Sequence, residues 1–279
     1  MQDRVPPHVY FLVSAVFHYL GPAFAVLLFA RVDVLGVAWL RIASAALVFA
    51  LWRRPWRFMR DPLLIAWGTV LALMNVCFYT AIDRLPLGTV AAIEFLPVIG
   101  LAAVGARSPR NGAALALAVP GVYLLTGVHI EAEPIGLAFA FVNAGLFALY
   151  IVLADRVAKR PGVSGIDGLA ASMLIAAVVV TPIGGWEALP AFAAPTALLA
   201  GVGVGISSSV IPYVADQLAL RRLARSTYAL MISLLPATAT VIGIFVLAQV
   251  PSPAEAAGVA LVIAGVALHR EPAANPATA

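Results

Sequence analysis

The stretch LVFALWRRPWRFMRDPLLIAWG, Leu47 to Gly68, sets the character of the chain: four arginines are confined between two apolar runs. The runs on either side continue over residues 34–52 and 62–83, each long enough to cross a ~30 Å hydrocarbon layer. Working outward from this segment, further apolar runs fall at 9–30, 87–105, 111–128, 135–154, 166–184, 195–217, 227–248 and 253–268. The connections between them are short. Of the 279 residues, 63% are hydrophobic and 11% are charged, whereas a soluble domain carries roughly 25% charged residues to wet its surface. Lipid is the solvent this composition fits, and an all-α membrane protein of ten transmembrane helices is expected.

The net charge of +4 does not point to a nucleic-acid partner, because the basic residues sit in loops between spans. With a cytoplasmic N-terminus, one side of the membrane receives Arg4, Arg53, Arg54, Arg57, Arg60, Arg107, Arg110, Arg156, Lys159, Arg160, Arg221, Arg222, Arg225 and Arg270. The other side receives Arg31 and Arg84, and Arg41 lies within the second span. A wrong helix count would scramble this alternation downstream of the error. The asymmetry therefore predicts ten helices with both termini in the cytoplasm. Arg4 before an apolar run has the outline of a secretory signal, but the run from Val9 to about Ala30 is long enough to span and is expected to be retained. The single Cys77 lies in an apolar run and can form no intrachain disulfide.

Five helices per half would make the halves run in opposite directions. ALAVPGVYLL (Ala116 to Leu125) in the fifth span matches ALVIAGVALH (Ala260 to His269) in the tenth. IEFLP (Ile93 to Pro97) in the fourth corresponds to ISLLP (Ile232 to Pro236) in the ninth. The expected organisation is therefore two inverted repeats, 1–130 and 131–270, followed by a Pro/Ala-rich disordered tail, 271–279. Pro97 and Pro236 are the candidate helix breaks, since discontinuous helices recur around transporter sites. Ordinary kinking is the plainer reading of both.

Few ionisable side chains lie within spans: His18, Arg41, Glu94 and Asp216, with Asp83 at a helix end. A charge at the bilayer centre costs about 2.5–3.5 kcal/mol on insertion scales, so it normally faces a partner or a wet cavity. At 1.5 Å per residue, Arg41 and Glu94 lie about 10 Å below the same surface, and Asn75 reaches a similar level. Two readings stay open for this cluster. Arg41 and Glu94 form an ion pair that ties two helices together, or Arg41 holds a substrate carboxylate while Glu94 titrates. His18, Tyr79, Asn143, Tyr150 and Tyr213 complete the candidate substrate-binding or coupling set. The run Ser207-Ser208-Ser209 is read as close helix packing, and Trp39, Trp52, Trp56 and Trp186 as interfacial anchors. No HExxH, GxxxxGK[ST] or GxSxG motif occurs, and His8, His18, His129 and His269 are too dispersed for a metal site. No cofactor is expected.

MNVCFYTAIDRLPLGTVAAIEFLP (Met74 to Pro97) resembles the helix 3–4 segment of the EamA branch of the drug/metabolite transporter superfamily, and within it the threonine and homoserine exporters. LRIASAALVFALWRRPWR (Leu40 to Arg57), LYIVLADR (Leu149 to Arg156) and ALRRLARSTYALMISLLPA (Ala219 to Ala237) extend the likeness over nearly the whole chain. The resemblance implies two EamA repeats, a central cavity, and efflux of a small amino-acid-like metabolite across the inner membrane by alternating access. It also supports Arg41, Asn75 and Glu94 as family-matching positions. Two departures bear on the substrate: Leu235 stands where many relatives have Glu, and Phe147 where many have Trp. The expected partners are a small-molecule substrate and the bilayer, with a homodimer left open. An integral membrane enzyme acting on a lipid is the alternative function, and a membrane scaffold is a third.

Overall fold

The computed structural model describes residues 6–97, 108–129, 133–220 and 234–268, and the regular structure within them is helical throughout. In chain order the helices are α1 (Pro7–Leu28), α2 (Val34–Arg53), α3 (Pro62–Ile82), α4 (Leu87–Glu94), α5 (Pro109–His129), α6 (Pro134–Ala158) and α7 (Gly165–Gly184). A one-turn helix, Leu189–Ala193, precedes α8, which runs as Pro195–Gly205, a π-helical turn Ile206–Val210, and Ile211–Leu220. α9 (Leu235–Leu247) and α10 (Pro253–Leu268) follow, and a short 3-10 helix, Pro55–Phe58, joins α2 to α3.

Local chemistry explains where these helices begin. Proline opens α1, α3, α5, α6, α8 and α10, where its missing N–H is no loss. Asp33 accepts the Leu35 N–H to cap α2, Asp61 accepts from Leu63 and Leu64 to cap α3, and Ser164 accepts from Asp167 to cap α7. Asp61 also pairs with Arg160 from the α6–α7 loop, and that hydrogen bond is the main cause holding its carboxyl below the usual range. Arg53 at the end of α2 pairs with Asp167 at 2.7 Å. Of the four arginines in this loop, Arg53 is thus paired with a carboxylate from a neighbouring helix.

Among the described residues, six helices are long and apolar enough to cross a membrane: Val9–Leu28, Val34–Arg53, Pro62–Ile82, Pro134–Ala158, Gly165–Gly184 and Pro195–Asp216. Leu235–Leu247 and Pro253–Leu268 are shorter apolar helices. Large apolar side chains face outward, with Phe245 84% exposed and Leu199 72%, as lipid contact requires. α4 differs, since all eight of its residues are buried; a helix apolar nearly all round belongs in the centre of the bundle. The expected spans 87–105 and 227–248 are described only in part, and the tail 271–279 lies outside the described residues. The expected span 195–217 is present as Pro195–Asp216 and carries a π-helical turn, Ile206–Val210, within it.

The main helix pairs follow a pattern. α3 packs on α6 and α7, and α4 packs on α6. Moving each partner five helices along the chain gives α8 on α1 and α2, and α9 on α1, which are also packed pairs. α2 with α7, α4 with α9 and α5 with α10 map onto themselves. Within the α5–α10 pair, a Cβ placed on Gly258 meets the Gly121 carbonyl at 2.8 Å, and one on Gly265 meets the Ala114 carbonyl at 2.8 Å. The later residue of one helix thus meets the earlier residue of the other, so α5 and α10 are antiparallel. Such close approach is the common use of glycine between membrane helices. Gly258→Leu should force the pair apart, at about 1–3 kcal/mol for an overpacked contact. The check is a lowered thermal midpoint in detergent, with Gly112→Ala, where an added Cβ meets nothing, unchanged or slightly raised. An unshifted midpoint for Gly258→Leu would remove this contact from the fold's supports.

Candidate functional site

At the middle of the bundle, α1, α2, α3, α4, α6 and α8 surround a cavity of about 50 Å³. It is lined by His18, Arg41, Asn75, Glu94, Asn143, Tyr150 and Tyr213 together with apolar groups such as Met74 and Phe147. The expected eight-residue candidate set is therefore brought to one place, Tyr79 joining it through its ring, whose centroid lies 5.4 Å from the Arg41 guanidinium carbon. A volume of this size holds one or two waters, at about 30 Å³ each.

Arg41 is buried, at 8% exposure. Its Nε donates to Ser209 Oγ at 3.1 Å, Nη1 to Asn75 Oδ1 at 3.1 Å, and Nη2 to the Ser208 carbonyl at 3.4 Å. The last contact has a cause in the chain. Pro212 has no N–H to offer the carbonyl four residues earlier, which is that of Ser208. In the adjoining π-helical turn, the Ile211 N–H bonds to Ile206 instead. A proline in α8 thus frees an acceptor, and Arg41 of α2 takes it. Asn75 is oriented in turn by its Nδ2 donating to the Ala38 carbonyl at 3.0 Å, which fixes Oδ1 toward the guanidinium.

Glu94 is equally buried, at 7%, and stands at the last residue of α4. Pro97 explains the ending there: lacking an N–H, it leaves the Ile93 carbonyl without its helical partner, and Phe95 forms a turn. Pro236 lies at the start of α9, directly after a turn at Leu234. Asn143 Nδ2 donates to Glu94 Oε1 at 3.1 Å. Among the described residues Arg41 and Glu94 make no ion pair, so the reading of a structural Arg41–Glu94 tie is corrected. Arg41 finds its partners on α3 and α8, and Glu94 finds its partner on α6.

The site is under-satisfied. Among the described residues three of the five guanidinium N–H groups are used, which leaves two. Among the described residues the hydroxyls of Tyr19, Tyr79 and Ser208 and the Oδ1 of Asn143 are buried with no hydrogen-bond partner of good geometry, the Tyr79 hydroxyl lying close to Ser208 and Arg41. An unmet buried polar group costs about 1–3 kcal/mol, so several together mark a place built to receive something polar. An aromatic wall closes the other side: Phe147 stacks on Tyr150 at 6.4 Å and meets Phe95 edge-on at 6.0 Å.

Comparison with known proteins gives this geometry a context. The chain is 31% identical over 266 residues to the threonine/homoserine exporter RhtA of Escherichia coli (strain K12), covering 92% of this chain and 89% of that protein. The Salmonella typhimurium (strain SL1344) RhtA is 30% identical over 267 residues, covering 90% and 88%. Residues 134–270 match the EamA-like transporter family. The chain belongs to that family. An uncharacterized transporter of Bacillus subtilis, YwfM, is 24% identical over 239 residues, covering 81% and 80%. A crystal structure 18% identical in sequence superposes with a TM-score of 0.60 over 94% of this chain and 96% of its own; at that identity it speaks for the fold alone. The apolar helices and these relatives make this EamA-like chain a multi-pass inner-membrane transporter, and they set aside the lipid-enzyme reading.

In this EamA-like chain, Ser208 and Ser209 are the site residues that spacing alone did not reveal. The run reads from sequence as close helix packing, and Gly21 does approach there: a Cβ on it would lie 2.0 Å from Ser208 Oγ. The available signal was Pro212, four residues after Ser208.

Proposed function

We propose that this protein exports a small zwitterionic amino acid of the threonine/homoserine type, in exchange for a proton, by alternating access across ten helices in two inverted repeats. The observation that carries this reading is one buried cavity with unused guanidinium donors on one wall and a carboxylate on another. An amino acid is complementary to that pair. Its carboxylate takes the two free N–H groups of Arg41, a charge-assisted, fork-shaped contact. Its α-amino group takes Glu94, and the unpartnered Tyr79 hydroxyl and Asn143 Oδ1 are available to a side-chain hydroxyl. The relatives of known name are threonine/homoserine exporters, which agrees with that polarity.

Coupling follows from competition. A proton and an ammonium group cannot both occupy the Glu94 carboxylate, so one leaves when the other arrives. Loading substrate on the cytoplasmic side and a proton on the outer side would then exchange the two. The cavity must widen for either to happen, and the exchange-symmetric helix pairing, with α5 antiparallel to α10, supports one half rocking against the other. The distribution of basic residues supports both termini lying in the cytoplasm.

Proteoliposomes loaded with a panel of amino acids, with and without a proton gradient, test this reading. Efflux of threonine or homoserine, enhanced when the receiving side is acidic, is the expected result. A panel in which no amino acid moves would overturn it.

A further inference from the structure

A second hollow lies apart from the central cavity. It is a groove of about 510 Å³ between α1 and α8, running from Arg31 past Leu27 and Phe24 to Ser207. Its walls are apolar: Phe24 is 47% and Leu27 55% exposed. Its floor on α8 is made of small residues, Ala197, Ala200 and Gly203 among them. At its mouth, where α1 ends, stands Arg31, which is exposed and has no ion pair or side-chain hydrogen bond among the described residues. Its neighbour Asp33 makes no ion pair with it among the described residues and instead caps α2. The other basic residue on this side, Arg84, is paired with Glu133.

We infer that this groove is a binding site for an anionic glycerophospholipid, with one acyl chain lying between α1 and α8 and its phosphate on Arg31. Charge and position argue for that occupant together. A guanidinium at the end of a membrane span sits at headgroup depth, where it binds phosphate through two parallel N–H groups. An elongated apolar trough leading from it toward the bilayer centre fits a chain rather than a compact solute. A small zwitterion of the kind assigned to the central cavity would leave most of these walls uncovered. The inference does not depend on what is transported. In the proposed orientation the lipid belongs to the outer leaflet. The inner end of the groove is Ser207, next to the Ser208–Ser209 pair that holds Arg41, so the lipid would abut the turn that shapes the site.

Gly203 provides a clean test. A Cβ added there meets nothing within 4 Å, so the side chain of Gly203→Phe starts in open space and can occupy the trough. The full chain, purified in detergent and incubated with phosphatidylglycerol, is examined by native mass spectrometry alongside phosphatidylcholine. The wild type should keep one phosphatidylglycerol as a resistant adduct, and Gly203→Phe should lose it. Arg31→Gln, an exposed change that leaves the fold alone, should lose the preference for phosphatidylglycerol over phosphatidylcholine. No resistant adduct on the wild type would overturn the proposal, as would an adduct unaffected by either substitution. A dimer peak abolished by Gly203→Phe would overturn it too, by assigning the groove to a second copy of the chain. If Gly203→Phe fails to fold, Arg31→Gln decides alone.

Discussion

Arg41→Ala should leave a protein that inserts in the membrane and no longer moves its substrate. Among the described residues the guanidinium is the one fixed cation lining the cavity, and in the proposed function its two further N–H groups hold the carboxylate. A hydrogen bond to a charged group is worth about 1.5–3 kcal/mol, so losing both should weaken substrate binding by roughly 10²–10⁴-fold, at about 1.4 kcal/mol per factor of ten. The substitution also strips a partner from Ser209 Oγ, Asn75 Oδ1 and the Ser208 carbonyl, so a lower thermal midpoint is expected as well. Arg41→Lys separates the two effects. It restores the charge, but one ammonium cannot reach α3 and α8 and also present a planar fork to a carboxylate. Binding should stay weak in the Lys variant even where stability recovers. If isothermal titration gives Arg41→Lys an affinity within twofold of the wild type, Arg41 is a structural residue and the substrate is held elsewhere.

Much of this arrangement was legible in the sequence, for reasons that differ from residue to residue. Arg41, Asn75 and Glu94 were found because a polar side chain in an apolar run is costly, and depth along a helix is simple arithmetic. Their partnership was not legible. Which residue answers Arg41 depends on how α8 turns toward α2, and that rotation is set by the π-helical turn and by Gly205, which leaves room for Ser44 and the Arg41 carbonyl. Opposite charges at equal depth suggested a pair, yet depth says nothing about which side of the bundle each faces. Asn143 appeared only as one polar group among several, and the structure selects it by placing its amide on Glu94. The groove at Arg31 was invisible for a similar reason. Its floor is an absence of side chains, at Ala197, Ala200 and Gly203, and that reads as ordinary helix packing until the facing helix is in place.

Glu94→Gln isolates the coupling, because it changes charge and almost nothing else. Glutamine keeps the length of the side chain, and its Oε1 can still accept from Asn143 Nδ2, so the end of α4 should hold its shape. What it loses is the capacity to exist in two protonation states. In the wild type, acid should weaken substrate binding, since a protonated Glu94 no longer attracts the α-amino group. Affinity should therefore rise as the pH increases toward neutrality. In Glu94→Gln that slope should vanish, with affinity close to that of the acid-form wild type throughout and roughly 10-fold or more below the wild type at neutral pH, the size of one charge-assisted contact. Flux should follow the same logic: downhill movement persists at a reduced rate, while accumulation against a gradient disappears, since no group is left to carry the proton inward. Titrations across the acidic to neutral range, paired with flux measured with and without an imposed proton gradient, read both. A pH slope and a gradient response that survive in Glu94→Gln would place the proton on another group. His18 is the first to examine, as it lines the same cavity and its ring lies 6.4 Å from that of Tyr213.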